Sequence, residues 1–209
     1  MAKNLTFEIK NLTYDKVKTT LLVVGYHESD NLSKKLDDLF DNRLSKAMKV
    51  DSFKGNLGKK IELYGNGNIA KLSLVGLGKK DVHSSDKLRG VAANIIRNAE
   101  ANKISSIAVD SDSFNLDEND YAQAFSEGLM LGQYNFNHYK SKKNKNVVSK
   151  IQIVGKSDLK TLNKGAVIGS AVNYSRDLGN HPANILTPTY LANEAKKLSK
   201  SKNFKAKII

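Results

Sequence analysis

Four lysines within six residues, Lys140, Lys142, Lys143 and Lys145, form the densest basic patch of the chain, and Tyr134, Phe136 and Tyr139 flank it. Ammonium groups can take phosphate charges while aromatic rings stack on bases, so these four lysines are a candidate nucleic-acid contact. The plainer reading, which the sequence alone favours, is a helix carboxyl end with cations against its dipole and rings packed beneath. Gly76-Leu77-Gly78 follows an apolar run and could open a phosphate-cradling loop. Position 81 is Asp, however, where the dinucleotide fingerprint needs its third glycine. A tight strand-to-loop turn is the simpler account. Gly65-Asn66-Gly67 fails in the same way and fits a hairpin turn.

Other candidates for chemistry are weaker. His27-Glu28 begins like a zinc-binding helix, but position 31 is Asn where a second histidine belongs. His83, His138 and His181 lie far apart, so surface or capping roles are expected for these three. Asp37-Asp38 reads as a solvated pair on a helix, and Asp117–Asp120 as a helix cap. There is no Gly-x-Ser-x-Gly nucleophile elbow. With 0 cysteines, disulfides, zinc-thiolate sites, iron–sulfur clusters and a thiol nucleophile are excluded. By residue chemistry alone we expect no catalytic residue and no metal ligand.

Composition describes a globular chain: 209 residues, 40% hydrophobic, 26% charged, 2 prolines. The formal charge of +13 suggests an anionic partner until it is split by position. Residues 1–139 carry 19 basic and 18 acidic side chains, whereas residues 140–209 carry 15 and 3. Only four of the basic residues are arginines (Arg43, Arg89, Arg97 and Arg176), which argues against base-specific recognition. Residues 1–20 are interrupted by Asn4, Glu8, Lys10, Asn11 and Asp15, so no signal peptide is expected. No apolar run approaches the ~20 residues of a membrane helix. A reducing cytoplasm and no membrane are the expectations.

The elements that would position these residues follow from periodicity. Leu21–Val24, Lys60–Tyr64, Ala70–Val75, Ser106–Val109 and Ile151–Val154 are short apolar runs that predict strands. The two around Gly65–Asn68 should pair antiparallel. Helices are predicted over Asn31–Val50, from Ser84-Ser85-Asp86 through Ala99, from Asp117–Asp120 to near Asn135, and from Ser157 to about Leu178. Thr187 should cap a last helix with Pro188 at its first position. Lys140–Asn146 should be a basic turn, and Phe204–Ile209 should enter a strand. Alternating strands and helices mean an α/β domain. A terminus inside an apolar strand suggests a fragment.

The stretch Arg176-Asp177-Leu178-Gly179-Asn180-His181-Pro182-Ala183-Asn184-Ile185-Leu186-Thr187-Pro188-Thr189-Tyr190-Leu191-Ala192 is similar to a junction signature of the leucine (cytosol) aminopeptidase family. Upstream, Val75-Gly76-Leu77-Gly78-Lys79 and Glu127-Gly128-Leu129-Met130-Leu131-Gly132, with Tyr134, Phe136 and Tyr139 to Lys143, resemble family segments in the same order. The resemblance implies a macro-domain-like mixed sheet sandwiched by helices over residues 1–156, a linker helix over 157–185, and a stub of the catalytic domain over 186–209. It implies the amino-terminal, regulatory or assembly portion of an enzyme that removes amino-terminal residues from peptides with two divalent metals, zinc or manganese. It also implies a homohexamer for the full-length enzyme and a monomer or weak oligomer for this portion. The family's metal-binding stretch matches no position here, so no catalytic or metal residue is carried over, and this chain alone is expected to be inactive. The alternative is a stand-alone macro-like module binding an ADP-ribose-type ligand or DNA, with DNA allowed but not favoured.

Overall fold

A computed structural model describes residues 5–65, 67–202 and 204–208. The strands are β1 (Thr6–Lys10), β2 (Thr19–His27), β3 (Lys60–Tyr64), β4 (Ile69–Gly78), β5 (Ser106–Asp110) and β6 (Lys150–Val154). The helices are α1 (Lys34–Leu39), α2 (Arg43–Val50), α3 (Ser85–Ala101), α4 (Asn119–Gly132), α5 (Leu159–Asn180) and α6 (Pro188–Lys202). The strands form one sheet in the order β1-β6-β5-β2-β4-β3. All neighbours run parallel except β3 and β4, which pair antiparallel as their spacing predicts. The turn residue Asn66 lies outside the described residues.

Side chains alternate across the sheet with period two. Leu21, Val23, Val75, Leu77, Ile107, Val109, Ile151 and Ile153 face one way, into a core with Leu88, Ala92, Ile96, Phe125, Leu129, Leu162 and Ala166. Leu22, Val24, Leu72, Leu74, Ala108 and Val154 face the other, with Leu36, Phe40 and Leu44. Helices therefore cover both faces. Both faces of the central strands are buried, which is why they read as unbroken apolar runs in the sequence.

Several readings change. The single helix expected over Asn31–Val50 is two helices, because Asp41 and Asn42 turn the backbone left-handed at φ 57° and 56°. Asp37 is buried rather than solvated: its Oδ1 accepts the Ser45 amide at 3.0 Å across that break. Gly76-Leu77-Gly78 belongs to β4, and the expected strand-to-loop turn falls on its last residue, Gly78, at a left-handed φ of 74°. A Cβ on Gly76 would overlap the Asn56 carbonyl, so glycine lets the 55–56 backbone lie directly on the strand. β1 was not anticipated, since a five-residue edge strand with alternating polar positions carries little apolar signal. Residues 204–208 form no strand, and Ile209 lies outside the described residues.

Two of the expected caps form, whereas Glu118, the N-cap of α4 within the Asp117–Asp120 cluster, makes no side-chain capping bond. Ser84 Oγ accepts the Lys87 amide at 3.3 Å, and Thr187 Oγ1 accepts the Tyr190 amide at 3.2 Å. The chain divides into two compact units at Ser170/Ala171. Within the second, the Tyr174 hydroxyl donates to Glu194 Oε2 at 2.7 Å. Burial and that carboxylate push the phenol up to about 12.

Candidate functional site

The basic loop leaves α4 at Gly132, eight positions before Lys140, so its lysines do not lie in the last turn of a helix. Lys140, Lys142, Lys143 and Lys145 are all exposed. What fixes the loop lies elsewhere in the chain. Glu100, near the carboxyl end of α3, accepts the Val147 amide at Oε2 (2.8 Å) and the Val148 amide at Oε1 (3.1 Å). Its Oε1 also accepts the Gln133 side-chain amide at 2.7 Å, and that amide donates again to the Val148 carbonyl at 2.7 Å. One carboxylate thus holds both stems of a 13-residue loop closed, with Gln133 and Val148 buried. Within it, Asn137 Nδ2 donates to the Asn144 carbonyl at 2.8 Å and Asn135 Nδ2 to Asn146 Oδ1 at 3.3 Å. Phe136 packs against His138 and Tyr139 at ring separations of 5.1 and 5.7 Å. Sequence reasoning found the lysines and rings but not Glu100 or Gln133, because their partners lie 33 to 48 and 15 residues away.

The carboxyl ends of the parallel strands are where α/β sheets bind ligands. Here the crevice between β2 and β5 is filled. Gly25 N–H donates to Ser113 Oγ at 2.8 Å, and a Cβ on Gly25 would sit 2.7 Å from the Ser113 carbonyl oxygen. Beside it Asp110 is buried and accepts the Tyr14 hydroxyl at 2.9 Å. Burial raises the Asp110 carboxyl, opposed in part by bonds from Tyr14 and Ser113. Burial and the Asp110 charge raise the Tyr14 phenol as well.

His83, expected at the surface or in a cap, instead packs its ring against His27. His27, at the end of β2, is 4% exposed, and its ring lies edge-on to His83 at 4.9 Å. His83 in turn meets Tyr121 of α4 edge-on at 4.9 Å. The Gly78 carbonyl can only accept, so His27 Nδ1–H donates to it at 3.1 Å. Neither ring nitrogen of His83 meets a hydrogen-bond partner. Burial lowers its pKa below the ordinary 6.5, helped by His27 and Lys87. A base that binds protons less well when folded contributes stability above 6.5 that is lost as pH falls through the folded value. Urea midpoints should therefore drop from pH 7 to pH 5, and the H83F variant should flatten that limb. An equal drop in both proteins would remove His83 as the cause.

Among the described residues, no group of three or more His, Cys, Asp or Glu is placed to hold a metal. The two-metal centre that the resemblance implies has no donor set among them.

Comparison with known proteins decides the family. Residues 23–143 match the model of the cytosol aminopeptidase family, N-terminal domain.

The chain belongs to the cytosol aminopeptidase family.

It is 34% identical over 207 residues to a probable cytosol aminopeptidase of Sulfurihydrogenibium sp., covering 93% of this chain and 41% of that one. With the probable cytosol aminopeptidase of Aquifex aeolicus it shares 31% over 170 residues, covering 80% of this chain and 34% of the relative. The chain thus spans well under half the length of these relatives. Its fold is that of a tomato leucine aminopeptidase mutant, with a TM-score of 0.82 at 24% identity over 96% of this chain and 43% of the other. The bottromycin maturation enzyme BotP gives 0.71 at 19% identity, covering 90% and 38%. The matched region is the amino-terminal domain of its family, a mixed α/β sandwich. No helix among the described residues is long and apolar enough to cross a membrane.

Proposed function

We propose that this chain is the amino-terminal, assembly portion of a cytoplasmic two-metal aminopeptidase that removes amino-terminal residues from peptides. The observation that carries the reading is the match of residues 23–143 to the family's N-terminal domain. The share of 41% in a relative of much greater length supports it. Residues 1–156 would form a macro-like domain, 157–185 a linker helix, and 186–209 the start of a peptidase domain. Zinc or manganese would be held by residues outside this chain. The whole enzyme would assemble as a homohexamer, with this portion by itself monomeric or weakly associated. Its two helix layers and filled strand ends suit a rigid scaffold more than a ligand pocket, and Ser113 in the β2/β5 crevice speaks against an ADP-ribose-type ligand there.

The test is direct. Incubated with leucine p-nitroanilide and manganese, the purified chain should release no nitroaniline above the metal blank. Saturable, metal-dependent hydrolysis that a chelator abolishes would overturn the assignment of catalysis to other residues.

A further inference from the structure

We propose that the loop 134–146 is a preformed binding surface for single-stranded nucleic acid. In this assignment Lys140, Lys142, Lys143 and Lys145 contact phosphates, Tyr139 stacks on a base, and Glu100 and Gln133 act as positioning residues. The surface is independent of peptide hydrolysis.

Four observations carry it. The loop is purely cationic: no Asp or Glu occurs between Glu127 and Asp158, so nothing on this stretch of chain neutralises the four lysines. They are exposed, and so is Tyr139, 56% accessible while its ring contacts those of Phe136 and His138. The loop is also latched. Glu100 takes both stems, and the Asn137–Asn144 and Asn135–Asn146 bonds cross between its limbs, so much of the ordering is complete before a ligand arrives. Finally, lysine is a point charge suited to a flexible phosphate chain, whereas arginine, the residue suited to reading base edges, is absent from the loop. A duplex keeps its base faces stacked inside, so a ring carried on a loop takes bases only from an unpaired strand.

Fluorescence anisotropy with a labelled oligodeoxythymidine of about 20 nucleotides tests this on the chain as it stands. Four phosphate contacts give a slope of about −2.8 in log affinity against log salt, or about 50-fold weaker binding between about 50 and 200 mM salt. Replacing the four lysines with glutamine (K140Q, K142Q, K143Q, K145Q) should abolish binding. The same loss of charge at Lys196, Lys197, Lys200 and Lys205 should leave most of it. Tyr139→Ala should weaken binding about 10-fold and Tyr139→Phe should restore it. Glu100→Gln is the decisive variant. It raises the net charge, so electrostatics alone predicts tighter binding, whereas loss of the latch predicts binding about 5-fold weaker. The same variant should be cut faster by trypsin after Lys140 to Lys145 with its far-ultraviolet circular dichroism unchanged. Equal loss from the two sets of lysine variants would overturn the loop as the site, and duplex binding as tight as single-strand binding would overturn stacking. Unchanged or tighter binding by Glu100→Gln would overturn the positioning role, and absence of binding would overturn the whole.

Discussion

Replacing Gly128 with valine should lower the stability of the α/β unit by about 3 kcal/mol or more, a large share of the ~5–15 kcal/mol that holds a domain together. A Cβ at this position would overlap the Arg89 carbonyl oxygen, and it would lie 2.9 Å from Ala92 Cβ. One turn later, a Cβ on Gly132 would be 2.6 Å from Ala93 Cα. α3 and α4 therefore touch backbone to backbone, and the obstructing atom belongs to a helix, where no rotamer change can remove it. Valine can be accommodated only by moving the helices apart. That opens gaps among Leu88, Ala92, Ile96, Phe125 and Leu129, all fully or almost fully buried. Thermal melting should fall by about 10 °C. Gly90 on α3 is the control: nothing lies within 4 Å of its Cβ position. Gly90→Ala should stabilise by about 0.5–1 kcal/mol through helix propensity alone. A urea midpoint for Gly128→Val equal to that of the parent protein would show that the helices do not pack as closely as described.

The second large effect is expected at Arg89 and Glu127, which join the same two helices. Glu127 is 6% exposed and accepts Arg89 Nε at 2.8 Å on Oε2 and Gln123 Nε2 at 2.8 Å on Oε1. Arg89 also reaches Asp86 on the surface at 3.1 Å. Arg89→Met keeps the side-chain volume but leaves a buried carboxylate with a single neutral donor. A fully enclosed pair broken this way costs about 3–5 kcal/mol; with the Arg89 side chain 32% exposed, water relieves part of it, and about 2 kcal/mol is expected. Removing both charges together, as Arg89→Met with Glu127→Leu, should return stability to within about 1 kcal/mol of the parent, because no charge is then left buried alone. A double-mutant cycle by urea unfolding reads the difference. Strictly additive losses would mean that the two side chains do not form the pair.

Much of the fold was legible in the chain. The central strands announced themselves as unbroken apolar runs because both of their faces are covered, and the antiparallel β3–β4 pair was marked by its turn residues. β1 was hidden because an edge strand needs few apolar side chains. The break between α1 and α2 was hidden because it rests on two polar residues, Asp41 and Asn42, that tolerate a left-handed backbone and also occur within helices. The candidate loop was half legible. Its lysines and rings are sequence neighbours and stand out together, whereas the carboxylate that shapes it sits on α3, beyond the reach of any local pattern.

The sequence by itself therefore determined the family, through the junction stretch from Arg176 to Ala192 and the segments before it. It also determined the α/β class and the concentration of positive charge after residue 139. Those properties depend on residue type and on spacing along the chain. Only the tertiary structure decided that His27 and His83 meet inside the fold, that Asp37 is buried, and that the crevice at the strand ends is closed by Ser113. It alone showed that one glutamate fastens both ends of the basic loop. Each of those depends on which residues distant in sequence are brought within a few ångströms, and that is set by how the sheet orders its strands rather than by any pattern within one of them.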